Sequence, residues 1–224
     1  WLAGDQFDAV MNYQLTHAAL EWTANKKKKI SVSQLDQKLA ELRLAYPAAA
    51  TYVMQNLLDS HDTDRVASMM INPDRVYDQQ NRPQDNGPNY DNRKPGPEAY
   101  QRVRLITLLQ MTYVGAPMIY YGDEVGMWGA DDPTCRKPML WEDLQPYEKP
   151  DENRVDPELF VYFQRVIALR NAHPALRTGY FHTLLTDDAA DIWAFERGDP
   201  TERLIVVLNA SDKTREIALP LPKD

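Results

Sequence analysis

The chain has 224 residues, 43% of them hydrophobic, and a formal net charge of −8, enough for one large domain or two small ones. That charge argues against a nucleic-acid surface, which needs a basic face, and no apolar run approaches the roughly 18 residues of a membrane span. A single cysteine, Cys135, excludes an internal disulfide, and twelve tyrosines and five tryptophans offer stacking platforms for sugar rings, although most such rings serve a core.

The chain opens on Trp1 without an initiator methionine or a signal-like segment. It closes on Pro220-Leu221-Pro222-Lys223-Asp224 inside a strand-rich region, so both ends read as cut. Phe7 to Tyr13 is short and mostly apolar, as a buried strand would be. Gln14 to Thr23 carries Leu15, Ala18, Ala19 and Trp22 at helical spacing. The lysines at 26 to 29 read as a solvated turn rather than a binding patch. Ser31 with Gln34 predicts a capping box for a helix carrying Leu35, Leu39, Leu42 and Tyr46, ended by Pro47. An extended run from Thr51 to Leu58 then leads into Ser60-His61-Asp62-Thr63, followed by a helix from Asp64 to Met70.

In parallel α/β proteins ligands bind beyond the carboxyl ends of the strands, which makes this polar cluster a site candidate. His61 supplies a donor beside the Asp62 carboxylate, a pairing suited to vicinal hydroxyls. The alternative is that Asp62 caps the helix starting near Asp64.

Between Asn72 and Pro97 no apolar periodicity survives. Loops of that length are often functional; Tyr77, Asn89 and Tyr90 could meet a ligand there, and plain surface insertion explains the stretch equally well. Pro97 starts a helix with Val103, Ile106, Leu108 and Leu109 turned to a core. Ala116 to Glu124 reads as a buried parallel strand opening into a polar turn. Met127 to Trp141 is irregular, with Arg136 expected to pair with Asp131 or Asp132. A polar linker precedes a helix from Pro157 to Asn171 that buries Leu159, Phe160, Phe163, Val166, Ile167 and Leu169. After His173-Pro174 the pattern alternates, predicting strands at Phe181–Leu185, Ile192–Glu196, Arg203–Leu208 and Glu216–Leu219.

Ser60-His61-Asp62-Thr63-Asp64-Arg65 resembles the fourth signature segment of the α-amylase family of glycoside hydrolases, in the wording of its neopullulanase and cyclomaltodextrinase branch. Phe7 to Tyr13 is similar to the family's strand-six phrase and Ala116 to Glu124 to its strand-eight phrase. Asp132-Pro133-Thr134-Cys135-Arg136-Lys137-Pro138 is similar to the loop that follows. The resemblance implies an α/β fold: residues 1–174 as the carboxyl-terminal part, strands six to eight, of a TIM (β/α)8 barrel. Residues 175–224 would be part of an antiparallel β-sandwich domain. Three βα units of about 30 residues account for less than half of a barrel of about 250.

The implied activity is retaining cleavage of α-glucosidic bonds in maltodextrins, cyclodextrins or pullulan. Retention needs two carboxylates about 5–5.5 Å apart. The family's nucleophilic Asp sits in a Gly-x-Arg-x-Asp phrase after strand four and its acid Glu after strand five. Neither phrase occurs here, so both are expected before Trp1, and this chain alone is expected to be inactive. By the same resemblance Asp62 is the third carboxylate, accepting hydrogen bonds from the 2- and 3-hydroxyls of the glucosyl unit, and His61 donates to a neighbouring hydroxyl. Arg65 either contacts substrate or pairs with a carboxylate. Asp123 and Glu124 are expected to be structural.

No metal or other cofactor is expected: His17, His173 and His182 share no ligand spacing with carboxylates, and the family's calcium sites usually come from upstream segments. The partners implied are an α-glucan oligosaccharide and the missing amino-terminal half of the barrel. Exposed strand edges invite self-association, a homodimer among the outcomes. Other readings are a transglycosylase or isomerase on the same scaffold, a non-catalytic amylase-like partner of membrane transporters, and a metal-dependent barrel hydrolase ligated by His61 and Asp62.

Overall fold

A computed structural model describes residues 1–76, 81–86, 89–144 and 154–219. Asn12 begins the first helix, α1 (Tyr13–Thr23), by accepting the Leu15 N–H. The capping box expected at Ser31 and Gln34 is present and opens α2 (Val32–Leu44). After Pro47 the chain forms α3 (Ala48–Val53) and only then β1 (Gln55–Asn56). The extended run expected from Thr51 is therefore shorter at its start. Pro47 ahead of three alanines makes a helical turn that overrides the strand preference of Thr51, Tyr52 and Val53.

Two short helices follow, α4 (Val66–Met69) and α5 (Pro83–Asn86), and then the long α6 (Pro97–Thr112), with Pro97 in its first turn as expected. Val103, Ile106 and Leu109 of α6 are buried, Leu108 only partly. β2 (Ala116–Pro117) pairs parallel with β1, Gln55 opposite Ala116 and Asn56 opposite Pro117. On the other side of β1, Met11 forms a parallel bridge to Gln55. The strand expected from Phe7 to Tyr13 thus contracts to that bridge, because α1 has already begun at Tyr13. The strand expected from Ala116 likewise gives way after Pro117 to a turn with a 3₁₀ helix at Asp123–Val125.

Three parallel segments consequently lie in the order Met11, β1, β2, each followed by helix. Buried Asn56 stitches them: its Nδ2 donates to Val114 O at 2.8 Å, its Oδ1 accepts from Asn12 Nδ2 at 2.8 Å, and its carbonyl accepts from Gln110 Nε2 at 2.8 Å. Gly115 must be glycine here. Its φ is +123°, and a Cβ would lie 2.4 Å from Asn56 Nδ2.

α7 (Pro157–Ala172) and α8 (Pro174–Thr178) lead to an antiparallel sheet, β3 (Tyr180–Asp187), β4 (Ile192–Gly198) and β5 (Arg203–Asn209), in that order. α7 buries Leu159, Phe163, Val166 and Arg170, one face at helical spacing. Phe160 and Leu169, expected in the core, lie off that face and are exposed, and Ile167 is partly buried. The fourth strand expected at Glu216–Leu219 does not form: the turn after β5, closed by Asn209 Nδ2 on Lys213 O at 2.9 Å, runs into irregular chain.

One hydrophobic cluster joins Leu15, Trp22, Leu35 and Leu39 of α1 and α2 to Leu109 and Tyr113 and to Trp193, Phe195 and Leu208 of the sheet. A second packs Leu58, Val66, Met69, Val103, Ile106, Trp128, Leu159 and Phe163 beneath the polar turn after β1.

Candidate functional site

Beyond β1 the chain runs through buried Leu57 and Leu58 to Asp59, then turns back over residues 59–65. Ser60, Thr63, Asp64 and Arg65 are buried, whereas the side chains of His61 and Asp62 are 57% and 59% exposed and lie 3.2 Å apart, Nε2 to Oδ1. Asp62 is not a helix cap: α4 starts at Val66, and the Val66 N–H is taken by Asp59 Oδ2 at 2.7 Å. The Asp62 N–H instead donates to Ser60 Oγ at 3.0 Å, and Ser60 Oγ lies 3.1 Å from the Tyr13 hydroxyl at the start of α1.

Arg65 lies beneath this surface with its side chain wholly buried. Its Nη1 donates to Asp123 Oδ1 at 3.1 Å and to Tyr121 O at 2.7 Å, and its Nε to Cys135 O at 2.9 Å. The guanidinium carbon also sits 4.6 and 4.8 Å from the ring centroids of Tyr120 and Tyr121. Of the two roles open to Arg65, pairing with a carboxylate is the one the geometry displays. Asp123 accordingly has a buried partner rather than an exposed catalytic posture.

Asp59, like Asp123, is buried close enough to this arginine to feel its charge. Burial raises both carboxyls, and the Asp59 charge raises Asp123 further, while the Asp123 hydrogen bond and the Arg65 charge pull Asp59 back. Asp123 is therefore the more strongly raised of the two, because burial and the Asp59 charge act on it in the same direction. Alongside, burial pushes Asp64 up to about 7 against the hydrogen bond it accepts from the Tyr90 hydroxyl at 2.5 Å. Tyr90, considered a ligand contact from sequence, is therefore a buried partner of Asp64. Asn89 is exposed, and Tyr77 lies outside the described residues.

The loop after β2 closes over the turn. Arg136 Nε donates to His61 O at 3.0 Å and pairs with Asp132 Oδ1 at 3.0 Å, and its Nη2 reaches Asp62 Oδ1 at 3.5 Å. Asp132 is thus the partner found for Arg136, and Asp131 pairs instead with Arg82 at 3.3 Å. Among the remaining histidines, His17 pairs with Glu21 and His173 with Glu202. Among the described residues no three His, Cys, Asp or Glu side chains gather as a metal ligand set. Asp59, the supporting role of Ser60 within the polar cluster, and the reach of Arg136 to His61 and Asp62 escaped the sequence reading. Asp59, an acid closing an apolar run, and Ser60, first in the polar cluster, left a local trace; the reach of Arg136 left none.

The family description "Alpha amylase, catalytic domain" matches residues 1–179. A cyclomaltodextrinase of Geobacillus thermopakistaniensis is 35% identical over 99% of this chain and 31% of its own length. Neopullulanase 2 of Thermoactinomyces vulgaris is 35% identical over 100% of this chain and 32% of its own. A solved cyclomaltodextrinase structure superposes with a TM-score of 0.72 at 37% identity, covering 93% of this chain and 30% of that one. The chain spans about a third of the length of the curated relatives it matches.

Proposed function

Because the chain belongs to the alpha-amylase family of glycoside hydrolases by its match over residues 1–179, we propose that it forms the part of an α-glucan hydrolase that grips the sugar ring beside the bond to be cut. The substrates proposed are maltodextrins, cyclodextrins or pullulan, a class supported by relatives named cyclomaltodextrinase and neopullulanase. The parallel order Met11, β1, β2 is read as three adjoining strands of a (β/α)8 barrel, with the site at their carboxyl ends.

The observation that carries the proposal is the contrast within one turn: His61 and Asp62 are more than half exposed between neighbours that are buried. Asp62 accepts hydrogen bonds from the 2- and 3-hydroxyls of the glucosyl unit that precedes the scissile bond. Those bonds strengthen as positive charge develops on the ring, a gain of several kcal/mol confined to the transition state. His61 donates to an adjacent hydroxyl of the same ring. Arg65 supports the turn from below through Asp123. The nucleophilic Asp and the acid/base Glu come from segments outside these residues, in keeping with a chain about a third as long as its relatives.

Asp62→Asn, made in the protein that joins these residues to the two upstream carboxylate segments, is expected to lower kcat on maltooligosaccharides by orders of magnitude and to leave the melting temperature nearly unchanged. Near-normal kcat in that variant would remove Asp62 from the mechanism.

A further inference from the structure

We infer that Ser60 is a positioning residue for Asp62, acting through the backbone of the turn rather than on the sugar; the inference rests on the role proposed for Asp62. Ser60 is 1% exposed, directly beneath the exposed His61–Asp62 pair. Its Oγ accepts the Asp62 N–H at 3.0 Å and lies 3.1 Å from the Tyr13 hydroxyl, and its own N–H donates to Thr63 Oγ1 at 3.0 Å.

The peptide that carries the Asp62 side chain is therefore oriented from one buried oxygen, itself anchored to Tyr13 at the start of α1. From above, Arg136 holds the His61 carbonyl at 3.0 Å. The turn is pinned on two sides, and the lower pin depends on a single hydroxyl. An exposed carboxylate has few side-chain contacts to fix it, so its aim at a ring follows the orientation of its own backbone. Removing the Ser60 oxygen leaves the Asp62 N–H without that acceptor and lets the carboxylate drift. A displacement of about 1 Å at a transition-state contact costs up to about 100-fold in rate.

The test is a double-mutant cycle of Ser60→Ala and Asp62→Asn in the same joined protein, with kcat, KM and thermal unfolding measured for each. Ser60→Ala is expected to lower kcat about 10- to 100-fold with a much smaller change in KM, and to weaken a half-chair transition-state analogue more than maltose. In the Asp62→Asn background Ser60→Ala is expected to cost no further kcat, because the residue it aims is already disabled.

Full kcat in Ser60→Ala, with Asp62→Asn crippled, overturns the inference and leaves the reading of Asp62 standing. An additive loss in the double variant overturns it in favour of a general packing role. Near-normal kcat in Asp62→Asn alone overturns both. Should Ser60→Ala unfold, Ser60→Cys keeps the buried volume with a weak acceptor; the same kcat loss is expected, and wild-type kcat overturns the inference.

Discussion

Asp64 shows what burial does to a carboxylate next to the candidate site. It is 2% exposed and accepts from the Tyr90 hydroxyl and, at 3.3 Å, from Asn81 Nδ2. Burial is the largest cause of its shift from 3.8 to about 7, and the nearby Asp59 and Asp131 add to it. A raised folded pKa favours the folded state while the group is protonated. The contribution is complete below the unfolded value and is lost as pH rises through about 7. Asp64→Asn keeps a neutral side chain at every pH, so thermal unfolding between about pH 4 and about pH 8 is expected to show a flatter loss of stability in the variant. Asp59 and Asp123 also titrate upward in both proteins. Because the Asp59 charge acts on Asp64, the variant's slope differs by the Asp64 contribution together with its effect on Asp59; identical slopes would remove Asp64 as the cause. At this scale the exposed pair was legible and its support was not. His61 and Asp62 are adjacent in a recognisable phrase. Arg65 meets Asp123 across 58 residues and Arg136 meets Asp62 across 74, and no local pattern encodes such distances.

Helices were legible for the same reason that short strands were not. The signals at Ser31 and Gln34 and at Pro97 act within one turn and hold wherever the helix is packed. A strand is defined by a neighbour, and here the ladder between β1 and β2 covers only Gln55–Asn56 and Ala116–Pro117, so apolar runs overstate its length. Tertiary partners also decide how α6 ends. Its last carbonyls are taken by two arginines from later elements: Arg170 of α7 donates to Met111 O at 2.8 Å, and Arg197 of β4 donates to Thr112 O at 2.7 Å. Arg197 also serves Leu176, Gly179 and Tyr180 carbonyls. Burial pulls both guanidinium groups down to about 10, so both remain charged at neutral pH and their hydrogen bonds are charge-assisted. Arg197→Ala would leave several buried carbonyls unpaired and is expected to cost at least about 3 kcal/mol in denaturant unfolding. An effect below about 1 kcal/mol would show that water replaces the arginine.

At the scale of the molecule, the short parallel ladder and the function proposed above lead to one prediction about added polypeptide. Parallel sheets are ordinarily covered on both faces and closed at their edges. Here the described parallel ladder is only Met11, β1 and β2, and Trp1, Phe7, Val53 and Tyr121 are exposed near it in sequence. On the function proposed above, two carboxylates about 5–5.5 Å apart are also required, and both are drawn from segments outside these residues. The 224-residue chain by itself is therefore expected to show no turnover of maltooligosaccharides and to self-associate as its concentration rises. Sedimentation velocity and a reducing-sugar assay on the same preparation separate the two expectations. Adding a polypeptide that carries the upstream carboxylate segments is expected to replace self-association with a one-to-one complex and to produce activity that Asp62→Asn abolishes. Turnover by the chain alone would mean that its own carboxylates suffice, and the division of labour proposed for Asp62 would fall with it. A monodisperse monomer without activity would instead show that the apolar edges are tolerated in water, leaving chemistry as the contribution of the added polypeptide.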